Sequence, residues 1–426
     1  MPPEIIHRIA SFLSDGQSFV NYVDALNGTD TLGGLEPFTK LTGTIAPNDL
    51  WPELHLRAHH GALLLQVTAA IAPYFSIVHM HDMYDLSAFH GCPSSSSLGI
   101  RIERCPSASE VKVPLSEWYN QLARLPVAAL AWEERSGRAC PDQVECLLAT
   151  LPRLPALQSL DLNGAIVPSV DVIFEFIASS HALVELSMRS LSLPDLVDGV
   201  FSRPTITAIG MTHLVHWLQR QPVRHLSLSQ WHIDAPIALV LAFHRALWSS
   251  TLTRLVVRDS RVPHLDLHVF ANPLAMSELE LSGCGLEGAD IVALSKGLRH
   301  SRVTKLVLSH NHINRGIPAL AAALPTAHHL HTLVLSSCAL FDDAIPSLVQ
   351  SLASCTVTAL NLSCNAISAH GASLIVHAMM SKADGRGDTR RGKLVLMLHG
   401  NSRIADDTRQ HLRDVTSACT HLKLFV

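Results

Sequence analysis

The chain has 426 residues, a formal charge of −4 and a sequence pI near 6.7. That balance offers no basic footprint for nucleic acid or an anionic membrane. Hydrophobic residues make up 48% and charged residues only 16%, which excludes a disordered chain. No stretch of 18 apolar residues occurs, so no membrane span is expected. Nine cysteines, an odd number with no CxxC among them, exclude a disulfide framework and a zinc-finger pattern.

The first thirteen residues read MPPEIIHRIASFL. Ile5, Ile6, Ile9, Phe12 and Leu13 fall on one stripe of an amphipathic helix. Pro3 suits the first helical turn, and Glu4 suits the positive end of the helix dipole. Glu4, His7 and Arg8 interrupt the apolar run, so it makes a poor signal sequence. An intracellular protein, cytoplasmic or nuclear, with reduced thiols is expected. NGTDTLGG and APNDLWPE read as loops. SIVHMHD and GIRIERC read as strands, and PLSEWYNQLARL as a helix.

A repeat then takes over. MSELELSGCGL starts at 276, VTKLVLSHNHI at 303, LHTLVLSSCAL at 330 and VTALNLSCNAI at 357, a constant period of 27. Each is Leu-x-x-Leu-x-Leu-x-x-Asn/Cys-x-Leu with aliphatic exchanges. Weaker copies start at 127, 157, 183, 223, 252 and 393, and CTHLKLFV supplies a last strand. Leu306 and Leu308 point inward from a short strand and Val307 outward. Asn311, Asn365 and Asn401 fall where the chain turns away, and a buried amide there satisfies backbone groups. Cys284 and Cys338 take the same place as small buried side chains. Helical segments follow, with Ile291, Leu294 and Leu298 on one face, and Ile345, Leu348 and Leu352 on the next.

This pattern resembles the ribonuclease-inhibitor type of leucine-rich repeat. It implies an α/β solenoid, a curved horseshoe with a parallel inner sheet and outer helices. Two intervals are long. That from 183 to 223 holds an extra or lengthened helix, and that from 357 to 393 holds a Gly-rich basic loop, SKADGRGDTRRGK, whose RGD triplet is read as chance.

The opening helix and DLWPEL at 49–54 together resemble an F-box. Pro3, Glu4, Ile5, Ile9, Phe12 and Leu13 match its start, and Leu50, Trp51 and Leu54 its close. Met1 replaces the leading Leu, and the middle is long and lacks the usual Val-Cys-Lys/Arg-x-Trp run. The resemblance implies a small helical domain over 1–58 that docks on a Skp-type adapter of a cullin–RING ubiquitin ligase, through Pro3, Glu4, Ile5, Ile9, Phe12, Leu13, Leu50 and Trp51. Residues 59–126 would be degenerate repeats or a connection, and 127–426 the repeats. The alternative is an interaction scaffold whose first helix only caps the core. Burial of Ile5, Ile9 and Phe12 against the repeats would favour the cap, and their exposure the F-box. A small-GTPase activator is a third reading, because the Ran GTPase-activating protein shares this repeat type, but no Arg/Asn site for it is found.

No phosphate loop, HExxH or GxSxG occurs, so no enzyme, cofactor or catalytic residue is expected. The pairs His59–His60, His79/His81 and His310/His312, and the group His328/His329/His331, are read as composition, and no metal site is expected. The outward positions of the strands remain for a protein partner or substrate. They gather Arg254, Arg258, Glu278, Glu280 and Lys305 at the centre, where cross-strand pairs neutralise one another, and Val307, Val334 and Met397 further on.

Overall fold

The computed structural model describes residues 3–29, 31–89, 98–133, 141–194, 201–261, 273–384, 394–417 and 419–426. The serine-rich stretch at 93–97 and the RGD triplet lie outside them. The chain divides into two compact units, 1–202 and 203–426.

The first unit begins with helices. These are α1 (Pro3–Ala10), α2 (Gly16–Leu26), α3 (Glu36–Thr39) and α4 (Pro47–Leu50). Asp15 starts α2, its carboxylate accepting the Ser18 N–H at 2.8 Å. Six strands follow in parallel order. They are β1 (Leu54–Leu56), β2 (Ile77–Met80), β3 (Gly99–Ile102), β4 (Val127–Glu133), β5 (Ser159–Asn163) and β6 (Glu185–Arg189). SIVHMHD and GIRIERC are therefore strands of the same ladder as the recognisable repeats.

The second unit carries eight parallel strands, at His225–Ser229, Arg254–Arg258, Glu278–Ser282, Lys305–Val307, Thr332–Val334, Ala359–Asn361, Leu394–Met397 and Leu422–Phe425. Their leucines pair in register, Leu279 with Leu306, Leu333 and Leu360, so identical side chains stack into one apolar column. Helices follow the strands, among them Gly288–Leu298, Ile317–Ala323 and Ile345–Leu352. The faces expected to pack do so: Ile291, Leu294, Leu298, Ile345, Leu348 and Leu352 are fully buried. Gly316 lets two of these helices touch, since a Cβ there would sit 2.6 Å from Ile291 Cβ. Among its described residues, the long interval after 183 holds the helix Ala208–Arg220, preceded by a short strand, Thr205–Thr207, paired with His232–Asp234. Both units are built as a leucine-rich-repeat solenoid.

What lets each strand stop is a repeated turn. The eighth repeat position is left-handed in Gly164, Ser190, Gln230, Asp259, Gly283, His310, Ser337, Cys364 and Gly400. Its N–H reaches the next repeat: Gly283 donates to Ser309, His310 to Ser336 and Ser337 to Ser363, at 2.9–3.0 Å. The ninth position completes the turn. Asn311 Oδ1 accepts the N–H groups of Cys284 and Leu286 at 3.1 and 2.9 Å, and its Nδ2 donates to Leu281, Leu308 and Ser309 carbonyls. Asn365 repeats this on Cys338, Leu340, Leu335, Leu362 and Ser363. In the cysteine repeats the thiol donates instead, Cys338 Sγ to Leu308 O at 3.1 Å and Cys284 Sγ to Val257 O at 3.4 Å. Burial pushes both thiols up to about 12, so they are structural and unreactive.

Replacing Asn311 with Ala leaves two buried N–H groups and three carbonyls short of a partner. A loss of about 2–4 kcal/mol is expected in urea denaturation, against less than about 0.5 kcal/mol for the surface change Ser354→Ala. An Asn311→Ala loss under about 1 kcal/mol would contradict this account of the turn.

Candidate functional site

The opening helix has two faces. Ile6 is fully buried and Ala10 nearly so, while Ile5, Ile9 and Phe12 are 48%, 37% and 76% exposed. The buried side packs toward the turn Gly33–Leu35 and α2, where the Tyr22 hydroxyl donates to Ile6 O at 3.4 Å. Leu13 is half-buried. The side chains of Pro3 and Glu4 lie outside the described residues.

Leu50 and Trp51 are placed differently from the resemblance's implication of adapter contacts. Both are buried. Trp51 stacks flat on Phe19, with centroids 4.3 Å apart, and its indole N–H donates to Leu13 O at 2.7 Å. Phe38 meets Phe19 edge-on, and Phe75 lies beside Trp51. These rings join the helices to the start of β2. Trp51 therefore fixes where α1 ends, because its only polar atom is spent on the chain leaving that helix.

On the solvent face of the second unit the charged residues pair across strands. Arg254 meets Glu278 at 3.1 Å. Arg258 clasps Glu280 with two bonds, at 2.6 and 2.9 Å. The strand register sets these pairs, since Arg254 lies opposite Glu278, and Glu280 lies diagonal to Arg258, two residues from its partner Ser282 on the same face. Lys305 is half-exposed beside Glu278. Val334 and Met397 are half-exposed, whereas Val307 keeps 9% of its surface. Ser309 and Ser336 hydroxyls bond each other at 2.9 Å.

Glu280 shows the electrostatics of this face. Burial pushes its carboxyl up, but the hydrogen bonds and charge of Arg258, with Ser282 and the Lys305 charge, together outweigh that and hold it below the ordinary range. Its stabilising contribution is present above about pH 4.3, the unfolded value, and is lost as pH falls through the folded one. Glu280→Gln is expected to cost less than about 1 kcal/mol at pH 7 and to flatten the acid limb of the stability curve, read by denaturation between about pH 2 and 7. A Gln variant with the wild-type acid limb would remove the pair from the account.

The first unit holds a group that spacing alone did not single out. The solvent faces of β1 to β3 align His55, His79 and Arg101 in one row. Glu53, His81 and Glu103 flank it. His79 Nδ1–H donates to Glu103 at 2.6 Å and Nε2–H to Glu53 at 2.7 Å. The hydrogen bond to Glu103 raises the His79 pKa, burial opposes it and Glu53 adds to it. His55 Nδ1 and His81 Nε2 share a proton at 2.9 Å. Burial lowers both, and the neighbouring cations lower them further. The rings of His55 and His79 stack 4.4 Å apart, inclined by 13°. The alternation Glu53-x-His55 and His79-x-His81 was the available signal, but it needed the strand register to gain meaning. His59 and His60 gather separately around Asp49. The cleft of about 610 Å³ lined by Met83, Tyr84, Val113 and Trp118 is a further concavity of this unit.

The model of the Leucine Rich repeat family matches residues 353–376. No curated protein matches the sequence. Among solved structures the chain is similar to one described as the Rad7 and Elc1 complex in yeast, at 14% identity and a TM-score of 0.48, over 96% of this chain and 95% of that one. It is also similar to the TLR13–ssRNA13 complex, at 16% identity and a TM-score of 0.36, over 74% of this chain and 40% of that one. The chain has the fold of a leucine-rich-repeat solenoid, with the family model matching one of its repeats. No described helix is long and apolar enough to cross a membrane.

Proposed function

We propose that the chain is a non-enzymatic substrate receptor. Its 1–58 region docks on a Skp-type adapter and its repeats hold a protein substrate for a cullin–RING ubiquitin ligase. The observation that carries this reading is the outward stripe Ile5, Ile9 and Phe12. A helix that served only as a cap would turn its large apolar residues inward. This one turns Ile6 and Ala10 inward and leaves Ile5 and Ile9, with Phe12 just beyond the helix, in water, which is costly unless a partner covers them. Capping and docking thus use adjacent faces of α1, about 100° apart. Trp51 holds the chain that leaves α1, its indole N–H donating to Leu13 O at 2.7 Å.

On this reading the substrate meets the outward strand positions Arg254, Arg258, Glu278, Glu280, Lys305, Val334 and Met397, with Val307 supporting its neighbours. The arginines and glutamates already satisfy each other, so a substrate gains from them mainly by replacing one partner. The half-exposed Val334 and Met397 offer apolar area without that exchange.

The test is capture of a purified Skp-type adapter by the full chain. Wild-type binding is expected, and Ile5→Asp or Phe12→Asp is expected to weaken it about tenfold or more with an unchanged melting temperature. Ile6→Asp, in contrast, is expected to lower the melting temperature, because it buries a charge. Absence of wild-type binding, or binding indifferent to Ile5→Asp and Phe12→Asp, would overturn the proposal.

A further inference from the structure

We propose that Glu53, His55 and His79 form a binding site for a divalent transition metal of the zinc class on the solvent face of the first three strands. Their donor atoms, one from each residue, lie within 4.8 Å of one another. A tetrahedral zinc with bonds of about 2.0–2.1 Å holds its donors about 3.3–3.5 Å apart. Glu53 Oε2 and His79 Nε2, at 2.7 Å, need only spread slightly. The His55 and His79 rings stack with planes 13° apart, so the His55 ring must tilt out of that stack to aim a nitrogen lone pair at the same ion. The backbone need not move, because His55 and His79 are register partners on adjacent parallel strands.

The surroundings suit a metal as well as the donors do. Glu103 accepts from His79 Nδ1 at 2.6 Å, which leaves Nε2 as the ligating atom and fixes the ring. His81, at 2.9 Å from His55 Nδ1, holds the second ring in the same way. Two imidazoles and a carboxylate, with no thiolate and no ring of oxygens, select zinc, nickel or copper over calcium and magnesium. Three protein donors leave one position open to water or to a group on another molecule. Binding displaces the proton between His79 Nε2 and Glu53 to solvent and puts the cation in its place. The nearest fixed cations are engaged, Arg57 with Asp49 at 3.3 Å and Arg101 near Glu103 at 3.7 Å. The neighbouring group Asp49, His59 and His60 is the weaker candidate, because Arg57 already neutralises Asp49.

The experiment is calorimetric titration of the chelator-treated full chain with zinc, with cobalt(II) absorption as the report of coordination. One equivalent is expected to bind and to raise the melting temperature. His79→Gln and Glu53→Gln should each weaken binding about tenfold or more, and Glu103→Gln by about tenfold, as an orienting carboxylate would. Asp49→Asn should leave it unchanged. Glu53 is well exposed, so its variant keeps the fold intact even if His79→Gln does not. Circular dichroism of each variant checks this. Wild-type zinc binding no tighter than that of Glu53→Gln, or binding lost in Asp49→Asn and kept in Glu53→Gln, would overturn the site and leave a proton as the sole occupant of the His79–Glu53 contact.

Discussion

A parallel strand of three to five residues must end inside the molecule, where its last backbone groups have no water to turn to. Everything else in this chain depends on how that is solved. The eighth residue turns left-handed and donates to the next repeat, and the ninth sends a buried side chain into the turn. Asn311 makes five hydrogen bonds there, spread over its own repeat and the one before. Ser260 serves the same place more simply, accepting from the Trp231 N–H and donating to Arg258 O. An unpaired buried backbone group costs more than a formed bond contributes, so these positions tolerate few residue types. That is why Asn, Cys and Ser recur at this place in the second unit.

Once the turns are fixed, so is the register, and the register decides what the outward side chains can do. Arg258 reaches Glu280 because the two strands are locked side by side. The same lock puts His55 beside His79, and Glu53 and Glu103 at the two nitrogens of one ring. The arginine–glutamate pairs stand wholly on strands, whereas Glu53, His81 and Glu103 sit in the residues that flank theirs. The scaffold supplies preorganised rows, and the chemistry of each row follows from which residues occupy it: alternating charge at 254–305, imidazole and carboxylate at 53–103.

The repeats were legible because leucine, asparagine and cysteine recur at a period set by covalent geometry and packing, and the 27-residue spacing survives in the sequence. The strands at 77–80 and 99–102 were legible only as apolar alternation. The turn after 77–80 lacks the Asn/Cys signature and the one after 99–102 carries it only as Cys105, so their membership of the ladder emerges from pairing. The outward stripe of α1 was half legible. Period 3.6 placed Ile5, Ile6 and Ile9 on one broad face, but the split between buried Ile6 and exposed Ile5 depends on where α2 and the Gly33–Leu35 turn press against it. The imidazole row was legible as residues and illegible as a site. Its members come from three strands more than twenty residues apart, and no local spacing announces a contact made through parallel register.

The buried cysteines sharpen the contrast between frame and surface. Cys284 and Cys338 sit where a ligand or nucleophile would have to be a thiolate, yet burial holds both as thiols and their hydrogens are spent on carbonyls. A metal would have to strip those protons inside an apolar turn and break the bond that ends the strand. His55 and His79 face the opposite condition. They stand outside the core, partly hydrated, with carboxylates that stabilise a positive occupant. Whatever cation they hold is added to a finished fold, so it can come and go without unfolding the repeats beneath it.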